Sequence, residues 1–253
     1  MISNIRMSLL IVATMFMLTS VAGATCTNSS LTGTYGFVQT GTNSSGKPEV
    51  VVGQFTATPG APMGTLAGTD TFDVDGVVST FSFTGTYQVF ANCTGKAAVT
   101  DVGGKSSTHY RFVVVTDGKE LDLVGANAGE VTAGYALAQG SATCTNAGVK
   151  GNFGFVNAGA IVGVGAIAFD GRLTFDGAVG ITGTESGSEA GTIVTGVPLT
   201  GTYAINSDCT GTGILTPSGG TATNFNLVVV NSGKTILAVE TDANTVVSGS
   251  LQH

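Results

Sequence analysis

Side chains that catalyse reactions or bind metal ions are scarce in this sequence. It holds two histidines, His109 and the C-terminal His253. The chain contains a second copy of much of its own sequence, and there Asn224 stands where the first copy has His109. A Ser-His-Asp triad or a histidine metal site needs its histidine. We therefore predict no catalytic residues and no metal site, and we interpret His109 as an exposed residue at a strand start.

Acidic residues cluster in the segment DTFDVDG at 70–76, where Asp73 and Asp75 precede Gly76. An EF-hand calcium loop needs more ligands and a terminal Glu at fixed spacing, and this segment lacks them. The matching segment ESGSEAG retains Glu185 and Glu189 as its acids. We interpret both segments as hairpin turns with solvated carboxylates, and we expect no cofactor.

The four cysteines suggest a structural role. They lack the close C-x-x-C spacing that zinc sites use, and four cysteines allow three disulfide connectivities. Only the pairs Cys26–Cys93 and Cys144–Cys209 keep each copy of the repeat self-contained, so we predict these two disulfides. Each would join the start of its copy to a repeated CTG turn, where Gly95 and Gly211 would permit a tight backbone.

An internal repeat runs through the chain, with offsets of 118, 116 and 115 residues. The matching segments are 26–41 with 144–159, 85–95 with 201–211, and 109–134 with 224–249. The order is the same in both halves, which indicates a tandem duplication of units of ordinary domain size. We predict two domains, 25–140 and 141–253, and the alternative is that both halves close one larger sheet system.

Strict alternation of apolar and polar residues dominates each copy, as in TFSFTGTYQV at 80–89. A period of two with one apolar face predicts half-buried antiparallel strands. The first copy has eight such segments: 33–40, 49–57, 63–73, 77–90, 95–102, 108–116, 119–125 and 130–138. We predict an all-β fold of two tandem antiparallel up-and-down β-barrels. Two-sheet β-sandwiches are the alternative.

Asp-Gly pairs are expected to mark the tight turns between these strands, because such turns need positive φ. They occur at 75–76, 117–118, 170–171 and 176–177.

Residues 1–24 are typical of a secretory signal peptide. Arg6 precedes an apolar run from Met7 to Leu18, and Ala22 and Ala24 form an A-x-A cleavage site. The run is shorter than the roughly 20 residues that span a bilayer. We predict a secreted or periplasmic protein with no membrane span after signal removal.

The charge of the chain excludes some partners. Its formal net charge is −7, and it contains no cluster of Lys or Arg. We therefore expect no nucleic-acid partner, because binding to phosphates needs concentrated positive charge.

The pattern C…G-x-Y/F-G-F…F-D-G…G-T-Y…C-T-G…F…V-V-V…G-K recurs in both copies. It resembles that of exported, duplicated Gly/Thr-rich β-domain proteins of acidobacterial-type soil bacteria. The resemblance implies export and a repeated β-domain but no particular activity.

Three functions fit these features, and we favour a non-enzymatic module that binds a small apolar ligand at the open end of a barrel. The alternatives are a structural or adhesive protein that contacts a cell-surface component and, more remotely, a barrel isomerase or cyclase acting mainly by shape. A binding barrel needs a cavity, whereas a structural one is packed solid. The candidate ligand-lining residues are Phe81, Phe83, Tyr87, Phe112, Leu199, Tyr203 and Phe225.

Overall fold

The computed structural model describes residues 25–102, 104, 106–140 and 144–253, so the predicted signal peptide lies outside the described residues. Two closed barrels of eight antiparallel strands follow each other, β1–β8 and β9–β16. The strands of the first are β1 Gly33–Thr42, β2 Pro48–Thr58, β3 Gly64–Val74, β4 Val77–Val89, β5 Thr94–Asp101, β6 Ser107–Val115, β7 Glu120–Gly125 and β8 Val131–Ala138. Those of the second are β9 Gly151–Ile161, β10 Gly165–Phe175, β11 Gly180–Glu189, β12 Thr192–Ile205, β13 Thr210–Pro217, β14 Thr223–Val230, β15 Thr235–Glu240 and β16 Thr245–Gln252.

Every strand pairs with its neighbours in sequence, and each barrel closes through its first and last strands, β1 with β8 and β9 with β16. This confirms the up-and-down barrel prediction and rejects the sandwich alternative.

Three of the four Asp-Gly pairs lie at or between strand ends, as predicted, but the pair at 170–171 does not. Gly171 lies inside β10, where it pairs with Phe155 on β9 and Glu185 on β11. A Cβ added at Gly171 would collide with the Thr184 carbonyl oxygen and approach the Phe155 ring. The turn prediction was wrong there because this glycine permits close packing within the sheet.

A short 3₁₀ turn closes one end of each barrel, Asn28–Ser30 in the first and Asn146–Val149 in the second. Leu31 and Val149 are buried in the respective cores. The Tyr87 hydroxyl donates to the Leu31 carbonyl at 2.6 Å, which fixes the turn to β4. In the described residues no helix has the length and apolarity needed to cross a membrane. We call the opposite end of each barrel its mouth.

Both predicted disulfides form, Cys26–Cys93 and Cys144–Cys209, and each ties the closing turn to the connection after the fourth strand of its barrel. In the two CTG turns the cysteine adopts positive φ, 65° at Cys93 and 70° at Cys209. Gly95 lies in β5, where a Cβ would collide with the Phe112 ring. The prediction that the glycines of CTG make the tight turn was therefore wrong.

An apolar interface joins the outer faces of the two barrels. It is formed by Val38, Val50 and Val52 from β1 and β2, and by Val228, Val230, Leu237, Val239 and Val246 from β14, β15 and β16. Strands buried on both faces read as continuous apolar runs, and all six residues of β15 are buried. Asn226 Nδ2 also donates to Thr71 Oγ1 across the interface at 2.8 Å. The two barrels therefore share a second core between them.

Candidate functional site

The mouth of the second barrel contains a cavity of about 420 Å³. Side chains from all eight strands, β9 to β16, contribute to it, so it is the upper part of the barrel interior. The connection between β13 and β14 borders its opening with Gly220, Thr221 and Ala222. The remaining lining residues are Phe155, Asn157, Ile161, Ile167, Phe169, Glu185, Glu189, Leu199, Leu215, Pro217, Thr223, Phe225, Glu240, Asp242, Thr245 and Val247.

Aromatic and aliphatic side chains form the lower part of the cavity. Phe155 and Phe225 are buried, and Phe169 packs against the same core cluster. Beneath them is a separate apolar space of about 30 Å³, which Phe155 and Phe225 also line. The two phenylalanines thus separate the cavity from the closed end of the barrel.

Of the three glutamates that line the cavity, Glu185 and Glu240 have raised pKa values, whereas Glu189 is exposed at the end of β11. Glu240 is 8% exposed, and burial raises its pKa to about 7, with smaller contributions from Asp242 and from Asp73 of the first barrel. Burial also raises the pKa of Glu185. Both carboxyl groups are therefore held where loss of hydration opposes ionisation.

No basic side chain is present among the described residues that line the cavity. A hydrogen bond from the Thr245 hydroxyl lowers the pKa of Glu240. The hydroxyl has a single proton, and Thr245 Oγ1 also donates to the Asp242 carbonyl oxygen at 2.8 Å. Among the described residues, Glu240 therefore shares the Thr245 donor with the Asp242 carbonyl oxygen. By contrast, the Asp242 carboxylate accepts from Asn224 N and Nδ2 at 2.8 and 2.7 Å.

Asn157 adds a buried polar atom at the floor of the cavity. Its Oδ1 is inaccessible to solvent and has no hydrogen-bond partner in the described residues. A Cβ added at Gly249 would collide with this atom, so the glycine leaves room for the Asn157 side chain.

The interior of the first barrel is packed much more tightly. Its cavity is about 60 Å³ and is lined mainly by apolar side chains, with Asp70 as the charged group. Tyr110 also lines this cavity. It corresponds to Phe225 of the second barrel, because the two residues are 115 positions apart, which is the offset of the repeat in this segment. Burial, reinforced by Asp101, raises the pKa of Asp70 to about 7, and its Oδ1 has no partner in the described residues.

The structure distributes the predicted lining residues over both barrels. Phe83, Tyr87 and Phe112 line the small cavity of the first barrel, and Leu199 and Phe225 line the large cavity of the second. Tyr203 is buried next to the closing turn, where its hydroxyl donates to the Asn146 carbonyl at 3.1 Å. Phe81 is 41% exposed and lies outside the lining of either cavity.

The acidic segments match the predicted solvated turns only in part. In the second segment Ala190 and Gly191 form the turn, and Glu189 beside it is exposed. In the first only Asp75 and Gly76 form the turn, and Asp75 pairs with Lys47. Asp70 and Asp73 belong to β3, and Asp73 is fully buried beside the second barrel. Glu185 belongs to β11 and faces the cavity. Alternation was the available signal, because Glu185 continues the inward series that begins at the buried Ile181.

His109 is exposed near the start of β6, as predicted, with Nδ1 3.0 Å from Asn127 Oδ1. Among the described residues, no group of three or more His, Cys, Asp or Glu is arranged to hold a metal ion.

Comparison with known proteins found no matching family model, curated protein or solved structure. The resemblance to acidobacterial β-domain proteins therefore stays a prediction.

Proposed function

We propose that this is an exported small-molecule-binding protein whose ligand occupies the mouth of the second barrel. The observation that carries the proposal is the cavity of about 420 Å³ to which all eight strands contribute. Its volume falls within the roughly 300–1,000 Å³ of small-molecule sites. Apolar surface with a few convergent polar groups is also the usual composition of such sites.

In this proposal the two barrels have different roles, ligand binding in the second and structural support in the first. The first, with a cavity of about 60 Å³, has too little space for a ligand of this size. It instead covers the valine-rich outer face of β14, β15 and β16, the strands that carry Phe225, Glu240 and Val247 into the cavity. Supporting the cavity wall in this way is a structural role for the first copy.

Export is the second element of the proposal. The two disulfides are consistent with an oxidising compartment. We infer that the ligand is met in the periplasm or outside the cell.

A dye-binding experiment with paired variants tests the proposed site. Ala222→Trp places a large side chain at the border of the cavity, whereas Ser218→Trp alters the same exposed connection outside the cavity lining. We expect the neutral dye Nile red to increase in fluorescence with the wild-type protein and with Ser218→Trp. Ala222→Trp should weaken its binding at least roughly tenfold, because the ring occupies the space the dye needs.

Native mass spectrometry of the oxidised, full-length exported protein adds a direct readout. Extra mass that disappears on denaturation would identify a copurified ligand. Equal dye binding by the two tryptophan variants, or none by the wild type, would contradict the proposed site.

A further inference from the structure

We propose that the ligand of this cavity is an organic cation, an ammonium group attached to an apolar or aromatic body. This inference rests on the proposed function and adds the chemical class of the ligand. It follows from the arrangement of the Glu185 and Glu240 carboxyl groups, three phenyl rings and one amide oxygen in the cavity.

The half-buried Glu185 and the buried Glu240 lie on opposite sides of the barrel. Glu185 lies on β11 and Glu240 on β15. In the closed order β10-β11-β12-β13-β14-β15-β16-β9, these strands are four steps apart in a ring of eight. Both residues line the same cavity. A positive group at the centre of the cavity would therefore have a carboxylate on each side.

The rings are arranged in the same way. Phe169 on β10 and Phe225 on β14 are also four steps apart in the ring of strands. The faces of aromatic rings attract cations, and quaternary ammonium groups are recognised by aromatic cages. The apolar part of the ligand would occupy the lower cavity beside Phe155.

The residues that the structure describes supply no positive charge within this site. None of the described lining residues is basic, and the whole chain carries nine basic against sixteen acidic residues. An anionic ligand would meet the like charges of Glu185 and Glu240, and a neutral one would leave both carboxylates without a counter-charge and partly removed from water. Asn157 Oδ1, which lacks a partner in the described residues, adds a further negative dipole at the floor.

The first barrel provides an internal comparison. Its acid at the level of Glu185 is Asp70, but the residue that corresponds to Glu240 is Gly125, because Gly125 pairs with Tyr110 as Glu240 pairs with Phe225. In the described residues the first barrel therefore lacks the acid that corresponds to Glu240, and its acids near Tyr110 are instead Glu49, Asp70, Asp101 and Glu130. Asp70 lies on the other barrel and is a suitable control position.

Calorimetric titration with two ligands of similar shape and opposite charge tests the proposal. Benzyltrimethylammonium is the cation and benzylsulfonate the anion, each added to the oxidised full-length protein at pH 8. We expect the cation to bind at least roughly thirtyfold more tightly than the anion. Glu185→Gln and Glu240→Gln should each weaken cation binding roughly tenfold, and Asp70→Asn should leave it unchanged.

The outcomes separate this inference from the proposed function. If Nile red binds and Ala222→Trp blocks it, but the cation does not bind or both glutamine variants bind it normally, the cavity is a ligand site for a different class. If neither dye nor cation binds, both proposals fail. Circular dichroism melts of the variants control for folding, and Glu→Gln exchange removes the charge with little change in side-chain volume.

Discussion

Asp70 and Glu185 occupy the same position in the two barrels. Asp70 pairs with Gly53 and Glu185 with Gly171, and these glycines pair in turn with Phe37 and Phe155. Burial raises the pKa of both acids. The duplicated unit therefore places an acid inside the barrel in both copies, and the copies differ in what surrounds it.

We predict that the inter-barrel interface requires a glycine at position 36. A Cβ there would lie 2.5 Å from Val230 Cγ1 and 2.6 Å from Val228 Cγ1, whereas a Cβ at the matching Gly154 meets nothing within 4 Å. We expect Gly36→Ala to lower the free energy of unfolding by about 1–3 kcal/mol, the usual cost of overpacking. Gly154→Ala should change it by less than about 1 kcal/mol. Urea unfolding followed by circular dichroism measures both.

If the two alanine variants unfold at the same urea concentration, the barrels do not depend on this contact. The comparison is matched because both glycines precede a buried phenylalanine in the same repeated motif.

We predict that the disulfide of the second barrel stabilises the whole described fold. Cys144 and Cys209 close a loop with a sequence separation of 65 residues. In the chain-entropy model, such a crosslink stabilises by on the order of 4 kcal/mol. We expect the double variant Cys144→Ala/Cys209→Ala to lose about this much, measured by urea unfolding against the oxidised wild type. Because the shared valine core couples the barrels, the loss should appear as one shifted transition.

Two separate transitions, with only one shifted, would show that the interface does not couple the barrels. The variant Cys26→Ala/Cys93→Ala repeats the measurement on the first barrel, whose crosslink spans 67 residues.

Most of the fold follows from sequence pattern because barrel strands obey a simple rule. Period-two alternation and the repeat locate eight segments whose bounds agree closely with β1 to β8. The inter-barrel interface could not be predicted in the same way. The run Val50–Val52 indicates burial on both faces, but no local signal says that its partner is Val228 or Leu237.

The site was harder to predict, because the pattern of a strand shows which residues face inward but not how far they lie from the barrel mouth. Glu185 lies on the same inward face of β11 as Ile181, and Glu240 is the last residue of the buried strand β15. A charged residue at such a place resembles the first residue of a solvated turn. Only the closed barrel shows that Glu185 and Glu240 both lie inside the mouth, on opposite sides of it.

Buried acids should make the folded state less stable as pH rises. The pKa of Asp73 is raised from 3.8 to about 6, mainly by burial, although the Gly76 N–H donates to it at 3.1 Å. Between these values the folded state binds more protons than the unfolded state, so the stabilisation present below pH 4 is lost as pH rises through about 6. We expect Asp73→Asn to stabilise the protein at pH 8 by about 1–3 kcal/mol, and to have little effect at pH 4.

Asp75→Asn is the comparison for that measurement, because Asp75 lies in the adjacent turn, pairs with Lys47 at the surface and raises the pKa of Asp73 less than burial does. Surface ion pairs contribute about 0–1 kcal/mol. Asp70 and Glu240 titrate in an overlapping range, so the quantity to compare is the difference between variant and wild type at each pH. A constant difference from pH 4 to 8 would contradict the assignment to Asp73.

Cation binding should show the opposite pH dependence. A bound cation favours the ionised form of Glu240, whose pKa without ligand is about 7, so binding below this pH must displace a proton. Affinity for benzyltrimethylammonium should therefore fall up to about tenfold per pH unit between pH 7 and 5.5. The ligand has no titratable proton, so the dependence reports on the protein.

The acids around Glu240 influence how affinity for the cation depends on pH. Glu185, Glu189 and Asp242 line the same cavity, and Asp73 acts on Glu240 from the first barrel. Glu240→Gln should flatten the profile, while Asp73→Asn should only shift it to lower pH, because it removes a repelling charge outside the cavity. Calorimetric titrations at pH 5.5, 6.5, 7.5 and 8.5 measure this. Affinity that is constant, or that increases toward low pH, would show that the glutamate carboxylates do not hold the ligand's charge.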